Sequence, residues 1–274
     1  MWQQAVRLNA RLLTLPRLSL ATRLGVMFQE VAAAIVLLLH GTAVIRANGS
    51  RIGVRSISEL GTVIASVVDV YDALSATSLL DSGGSPLIID IGANIGQFGW
   101  AARLWIPHCR LVSVEPDPAT FERLSVNIRP GPSVTLIEAA VGDAPGSKPL
   151  YRHPLSILSS LAPFGDGYSR FNVVPVSVLR LDDILASESS PIDLLKVDVE
   201  GYEGEVMLGA ATTLQRTRYL LFEMSLGRDV RHHNLEILGH IKSMAPRSSI
   251  LKFGRPLGGK RPACQDVLIS LDSL

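Results

Sequence analysis

Apolar positions in this chain first follow a helical rhythm and later an alternation of strand-like runs with helices. Residues 1–45 carry leucine, alanine and valine at spacings that suit helix, and they include the unbroken run VAAAIVLLL at 31–39. A small hairpin is predicted over 44–54, because Asn48-Gly49 readily supplies the two positive-φ residues of a tight turn. Ser58 is placed to cap a helix running to about Leu74, and the loop Asp81-Ser82-Gly83-Gly84-Ser85-Pro86 marks a boundary. Beyond it come seven short apolar runs: LIID from Leu87, LVSVEP at 111–116, SVTLIEAAVG at 133–142, LLKVDVEG at 194–201, RYLLFEMS at 218–225, SSILKFG and QDVLISL. Helical stretches separate most of them, including PATFERLSVNI and EGEVMLGAATTLQ. This alternation predicts an α/β fold with a doubly wound, mostly parallel sheet. The short polar link between the last two runs makes that pair antiparallel. The chain therefore reads as a helical extension (1–43), a hairpin and helix (44–85) and an α/β domain (86–274).

Composition adds limits to this outline. With 274 residues, 47% of them hydrophobic, the chain can bury a sizeable core. A formal net charge of +1 offers no global electrostatic case for nucleic acid. Cys109 and Cys264 are too few and too far apart for a disulfide framework or a metal site, so a reducing, cytoplasmic setting is the default. The start of the chain complicates that default. Arg7, Arg11, Arg17 and Arg23 recur among leucines with no acidic residue before Glu30. The apolar run after them is shorter than the roughly 20 residues a membrane span needs, and it begins too far from Met1 for an ordinary signal peptide. A buried helix and a basic amphipathic segment resting on a membrane surface both remain open readings.

The chemistry concentrates where the first strand of the α/β domain meets its helix. In such sheets ligands bind beyond the carboxyl ends of the strands, where strand order reverses. Asp90-Ile91-Gly92-Ala93-Asn94-Ile95-Gly96 falls there, and its glycines permit a tight turn and a close approach of ligand to backbone. Glu115 ends the next strand, where a carboxylate can accept hydrogen bonds from both hydroxyls of a ribose. The loop lacks the third glycine of the dinucleotide fingerprint. A carboxylate from Asp90 at its mouth would repel a pyrophosphate but not a cationic sulfonium, so the spacing and charge favour S-adenosylmethionine over a nicotinamide cofactor.

Four strings taken in order, DIGANIG, Glu115-Pro116, AAVGD at 139–143 and LLKVDVEGYE at 194–203, resemble the FkbM-type methyltransferases. The likeness extends over roughly residues 44–271, through SSL at 159–161 and SVLRLDDIL at 177–185. It implies the class I, Rossmann-like methyltransferase fold, S-adenosylmethionine as cofactor, and methylation of a hydroxyl on a sugar, glycan or polyketide-like metabolite. It further implies that Asp90, Gly92, Ala93, Asn94 and Gly96 cradle the methionine end. Glu115 would hold the ribose, with Pro116 beside it among the cofactor-binding residues, and Val141, Gly142 and Asp143 would border the adenine.

Lys196, Asp198 and Glu200 alternate, which in an extended strand points all three to one face. They are the catalytic candidates: Asp198 or Glu200 as base or acceptor-orienting group, and Lys196 as the cation that tunes or anchors. Glu223 and His153 are candidates for the acceptor site. His232 and His233 are adjacent on a helix and do not converge, and no carboxylate pair is spaced to complete a site with them, so no metal is expected. Nitrogen or carbon methylation on the same scaffold, a nicotinamide-dependent oxidoreductase and a non-catalytic cofactor-binding module are the competing readings. Oligomeric state is not legible.

Overall fold

The computed structural model describes residues 2–153, 156–161, 172–225, 231–254 and 264–271. Two helices, α1 (Trp2–Thr14) and α2 (Leu20–His40), precede the hairpin β1 (Ala43–Ala47) and β2 (Ser50–Val54). Asn48 and Gly49 carry φ of 47° and 77°, so the turn has the predicted left-handed pair. Helix α3 (Ile57–Leu74) follows, capped by Ser56 rather than by Ser58. Ser56 is extended and its hydroxyl accepts the Glu59 N–H at 3.1 Å, while the Glu59 carboxylate reaches back to the Arg55 N–H at 2.7 Å.

The α/β domain then runs β3 (Leu87–Ile91), α4 (Gln97–Trp105), β4 (Arg110–Val114), α5 (Pro118–Asn127) and β5 (Val134–Ile137). After β6 (Ala140–Val141), β7 (Gly146–Arg152) and β8 (Asn172–Leu179) come α6 (Leu181–Ile184), β9 (Ile192–Val197), α7 (Glu203–Leu208) and α8 (Ala211–Gln215). The described part closes with β10 (Thr217–Ser225), α9 (Arg231–Met244), β11 (Ser249–Phe253) and β12 (Cys264–Ser270). Seven strands form one sheet in the order β11-β12-β10-β9-β3-β4-β5, with β12 antiparallel to both neighbours. The chain leaves β3 toward β4 and β5 and returns on the other side at β9, so the order reverses at β3.

Three local expectations are corrected. The run at 133–142 is not one strand: β5 stops at Ile137, and β6 joins a separate sheet of order β6-β8-β7. The run at 194–201 stops at Val197, because Glu200 and Gly201 turn to positive φ of 54° and 95°. Its following helix splits into α7 and α8 at Gly209, which lies so close to the Gly142 carbonyl that a Cβ there would meet it at 1.9 Å.

Residues before the loop at 81–86 share the core of the α/β domain rather than owning one. Leu12, Ile45, Val67, Trp100 and Leu221 belong to a single buried cluster. The Trp105 indole N–H donates to the Val67 carbonyl at 3.0 Å and its ring lies 4.7 Å from that of Tyr71. Helix α2 does not fit the buried reading: only Val26, Ala33 and Leu37 of it are buried.

Candidate functional site

The face of the sheet covered by α3 and α4 ends in charge. Ile88 on β3, Leu194 on β9, Leu221 on β10 and Leu268 on β12 are buried in that core. The next same-face position toward the common edge is in turn Asp90, Lys196, Glu223 and Asp266, two residues on along each parallel strand and two back along antiparallel β12. Asp90 and Lys196 are register partners, as are Glu223 and Asp266.

Lys196 joins the glycine loop to the loop after β9. Its ammonium lies 3.2 Å from Asp90 and 3.3 Å from Asp198, and donates to the Gly92 carbonyl at 3.1 Å. Burial alone would lower Lys196, but Asp198 and Asp90 outweigh it and hold the ammonium above its ordinary value. Burial pushes Asp90 up, with Lys196 pulling against it. Asp90 is fully buried. It therefore lies beneath the loop with its charge compensated, not at the loop's mouth, and the repulsion argued from the sequence is weaker than expected. One hydrogen bond and two ion pairs thus let Lys196 hold the two loops together.

The loop itself turns through positive φ at Gly92 (75°), Asn94 (49°) and Gly96 (92°). A Cβ on Gly92 would meet the Asp198 carbonyl at 1.9 Å, and one on Gly96 would meet Ile128 at 2.6 Å. Their bare faces are occupied by the protein's own chain, so the glycines serve turn geometry and close packing rather than ligand approach on those faces. Glu115 is buried, accepting the Asn94 N–H at 2.9 Å on one oxygen and the Asp117 N–H at 3.0 Å on the other. Burial pushes it up to about 7, against the pull of those two bonds. Each oxygen keeps a lone pair for a further donor. Pro116 leads into Asp117, which caps α5 and is gripped in a fork by Arg152 at 2.6 Å on each oxygen. Val141 is buried in β6, Asp143 is exposed, and Gly142 packs against Val178 and Tyr202 at the join of the two sheets.

Asp198 lies one residue past β9, so strand alternation is not what groups it with Lys196 and Glu200. The turn does so instead, and it also brings in Glu223: carboxylate oxygens of Asp198, Glu200 and Glu223 lie within 4.8 Å of one another. Glu203 stabilises the turn by accepting the N–H groups of Val199 at 3.2 Å and Gly201 at 3.1 Å. Burial first, then Asp198 and Glu223, push Glu200 up to about 9. Burial and then Asp198 push Asp266 up to about 7. Three carboxylates converging from the turn after β9 and from β10 form the kind of oxygen set that can hold a divalent cation or share a proton. Linear spacing did not display that convergence.

His153 follows Arg152, which grips Asp117, and its N–H donates to the Ser159 hydroxyl at 3.1 Å, one residue before the serine that bonds the Glu200 carbonyl. The side chains of His232 and His233 lie outside the described residues. The sequence reading missed Asp266, Arg152 and two serines that tie the segment after β7 across the site. Ser156 donates to the Asn94 side chain at 3.0 Å, and Ser160 donates to the Glu200 carbonyl at 2.6 Å. The missed signal at Asp266 was QDVLISL, whose Asp266 shares a face with Leu268 once the strand's direction is known.

Comparison with known proteins bears on the family and the fold. Residues 90–244 match the family model described as the methyltransferase FkbM domain. The chain is 30% identical over 159 residues to 2-O-methyltransferase NoeI of Sinorhizobium fredii, covering 51% of this chain and 63% of that one. It is 28% identical over 141 residues to hexuronic acid methyltransferase AglP of Haloferax volcanii, covering 51% and 56%. It is 28% identical over 152 residues to 31-O-demethyl-FK506 methyltransferase FkbM of Streptomyces tacrolimicus, covering 45% and 58%. The matched region thus spans about six-tenths of the length of these relatives. Among solved structures, the METTL16 MTase domain superposes with a TM-score of 0.50 at 11% identity, covering 88% of this chain and 79% of that one. The fold is that of the class I methyltransferases.

Proposed function

The chain belongs to the methyltransferase FkbM domain family, and we propose that it moves the methyl group of S-adenosylmethionine to a hydroxyl of a sugar or similarly hydroxylated metabolite. Two of the relatives are named for a hexuronic acid and for 31-O-demethyl-FK506 as acceptors, and a third is named a 2-O-methyltransferase. The family membership disfavours the nicotinamide reading.

The residues present fit the cofactor. Glu115 holds two unspent lone pairs beside the glycine loop, suited to the two hydroxyls of a ribose. The loop opens α4, whose first N–H groups favour a carboxylate. When bound, S-adenosylmethionine supplies an electrophilic methyl group on a cationic sulfur. The chain's own task is to orient the hydroxyl and take its proton as the new carbon–oxygen bond forms. The observation that carries the proposal is the carboxylate cluster of Asp198, Glu200 and Glu223, held against the glycine loop through Lys196. Glu200, pushed up to about 9, is protonated at neutral pH and donates a hydrogen bond to the acceptor or its neighbour. Asp198, fixed by Lys196, then serves as the base, with Glu223 orienting the acceptor. Incubating a glycan and metabolite extract with the protein and isotopically labelled methyl donor, then reading labelled products by mass spectrometry, tests the acceptor class. Calorimetry with S-adenosylhomocysteine tests the cofactor, and absence of binding would end the proposal.

A further inference from the structure

The face of α2 turned away from the domain has no partner among the described residues. Leu20, Leu24, Phe28, Val31, Ile35 and Leu38 are all exposed, Phe28 at 77% and Leu38 at 80%. At 100° per residue they and Leu39 sweep an arc of roughly 100°, which Val36 widens to about 160°. The arc contains no charged residue: Arg23 and Glu30, the two charges of this helix, fall on its far side with buried Val26, Ala33 and Leu37. A soluble surface helix turns such a stripe inward. Here the helix is docked through its opposite side, with Gln29 bonded both ways to the Arg46 backbone, at 2.8 Å each.

The surroundings are basic. Residues 2–56 hold Arg7, Arg11, Arg17, Arg23, Arg46, Arg51 and Arg55 against the single acid Glu30, in a chain whose net charge is +1. Arg11, Arg17 and Arg23 are spent on the protein itself, on Asp72, on Asp81 with the Leu80 carbonyl, and on the Leu18 carbonyl. Arg46 and Arg51 stay exposed on the hairpin beside α2, and Arg55 is exposed just past it. Arg46 and Arg51 are direct cross-strand partners, an arrangement that costs stability unless something anionic lies against it.

We propose that this face, α2 with the hairpin arginines, docks on a lipid surface bearing anionic headgroups. The helix lies in the plane of the interface and its apolar arc enters the acyl boundary. A two-helix seam formed with a second copy would use a narrower stripe, two positions in seven, whereas a continuous apolar medium covers the whole arc. Spanning the bilayer would strip α2 of its contacts with β1 and α3 and break the Gln29 bonds. The docking would bring the site to acceptors held at a membrane.

Co-sedimentation of the full chain with phosphatidylcholine vesicles, with and without about one-third phosphatidylglycerol, tests the proposal, alongside sedimentation velocity without lipid. The full chain is expected to pellet with the anionic vesicles. F28E/I35E replaces exposed side chains, so it should stay in the supernatant while melting and binding S-adenosylhomocysteine as the parent does, which separates this proposal from the methyltransferase reading. Each arginine near an anionic surface is worth about fivefold in affinity, so R46E/R51E should weaken vesicle binding by about 25-fold or more. Failure to pellet with anionic vesicles, equal pelleting with neutral ones, or a dimer in solution that F28E/I35E converts to monomer without any vesicle binding would overturn it.

Discussion

Replacing Lys196 by Met removes the one cation that Asp90, Asp198 and the Gly92 carbonyl share. The methionine fills much of the same volume, so the loss is chiefly electrostatic. Asp90 is fully buried, and the ammonium 3.2 Å away is the charge that compensates it. Removing one partner of a buried pair costs about 3–5 kcal/mol, because the remaining charge stays in a poorly solvating interior. Against a typical stability of 5–15 kcal/mol that is a large share. Lys196→Met should therefore shift the urea midpoint strongly at pH 7, and Asp90→Asn added to it should recover at least half of the loss. Trp100, buried on the helix after the glycine loop, offers a fluorescence reporter. A lone Asp90 has a folded pKa above its unfolded value of 3.8. Its penalty is absent below that unfolded value and grows as pH rises through the folded one, so the deficit should shrink when unfolding is repeated at pH 5. Both variants should lose activity, since the bond to Gly92 is gone in each. A loss below about 1 kcal/mol, or no recovery in the double variant, would refute the assignment of Lys196 as the link between the two loops.

Glu115→Gln keeps the shape but weakens two acceptor sites, and should reduce S-adenosylhomocysteine affinity by about tenfold to a hundredfold in calorimetry. Because Glu115 is pushed up to about 7, the parent should bind more tightly as pH rises from 6 to 8, with proton release that disappears in the Gln variant. With Glu200 near 9, Glu200→Gln imitates the protonated group and should keep kcat within several-fold at pH 7, whereas Asp198→Asn should lose about a hundredfold or more. Activity abolished by a chelator and restored by a divalent cation would replace this shared-proton reading of the cluster by a cation site. Gly92→Ala, forced against the Asp198 carbonyl at positive φ, should destabilise the fold by about 2–5 kcal/mol in the same urea assay.

What this sequence determined unaided is what depends on neighbours along the chain. The Asn48-Gly49 turn, the seven apolar runs of the α/β domain and the strand–loop–helix at Asp90 to Gly96 were all legible, because backbone conformation and side-chain period are local properties. Glu115 was legible for the same reason, as the end of a run. The end of β9 was not: LLKVDVEG reads as strand to Gly201, but the positive φ at Glu200 is sustained by Glu203 bonding the turn's N–H groups and by Ser160 on its carbonyl. Nor could spacing show that Asp198, Glu200 and Glu223 meet, since that follows from two strands lying side by side. The compensation of Asp90 by Lys196 is a register fact between strands more than 100 residues apart in sequence. The exposure of α2 depended on which of its faces the hairpin claimed. Helical period marks the residues that share a face, and only packing decides which face is covered.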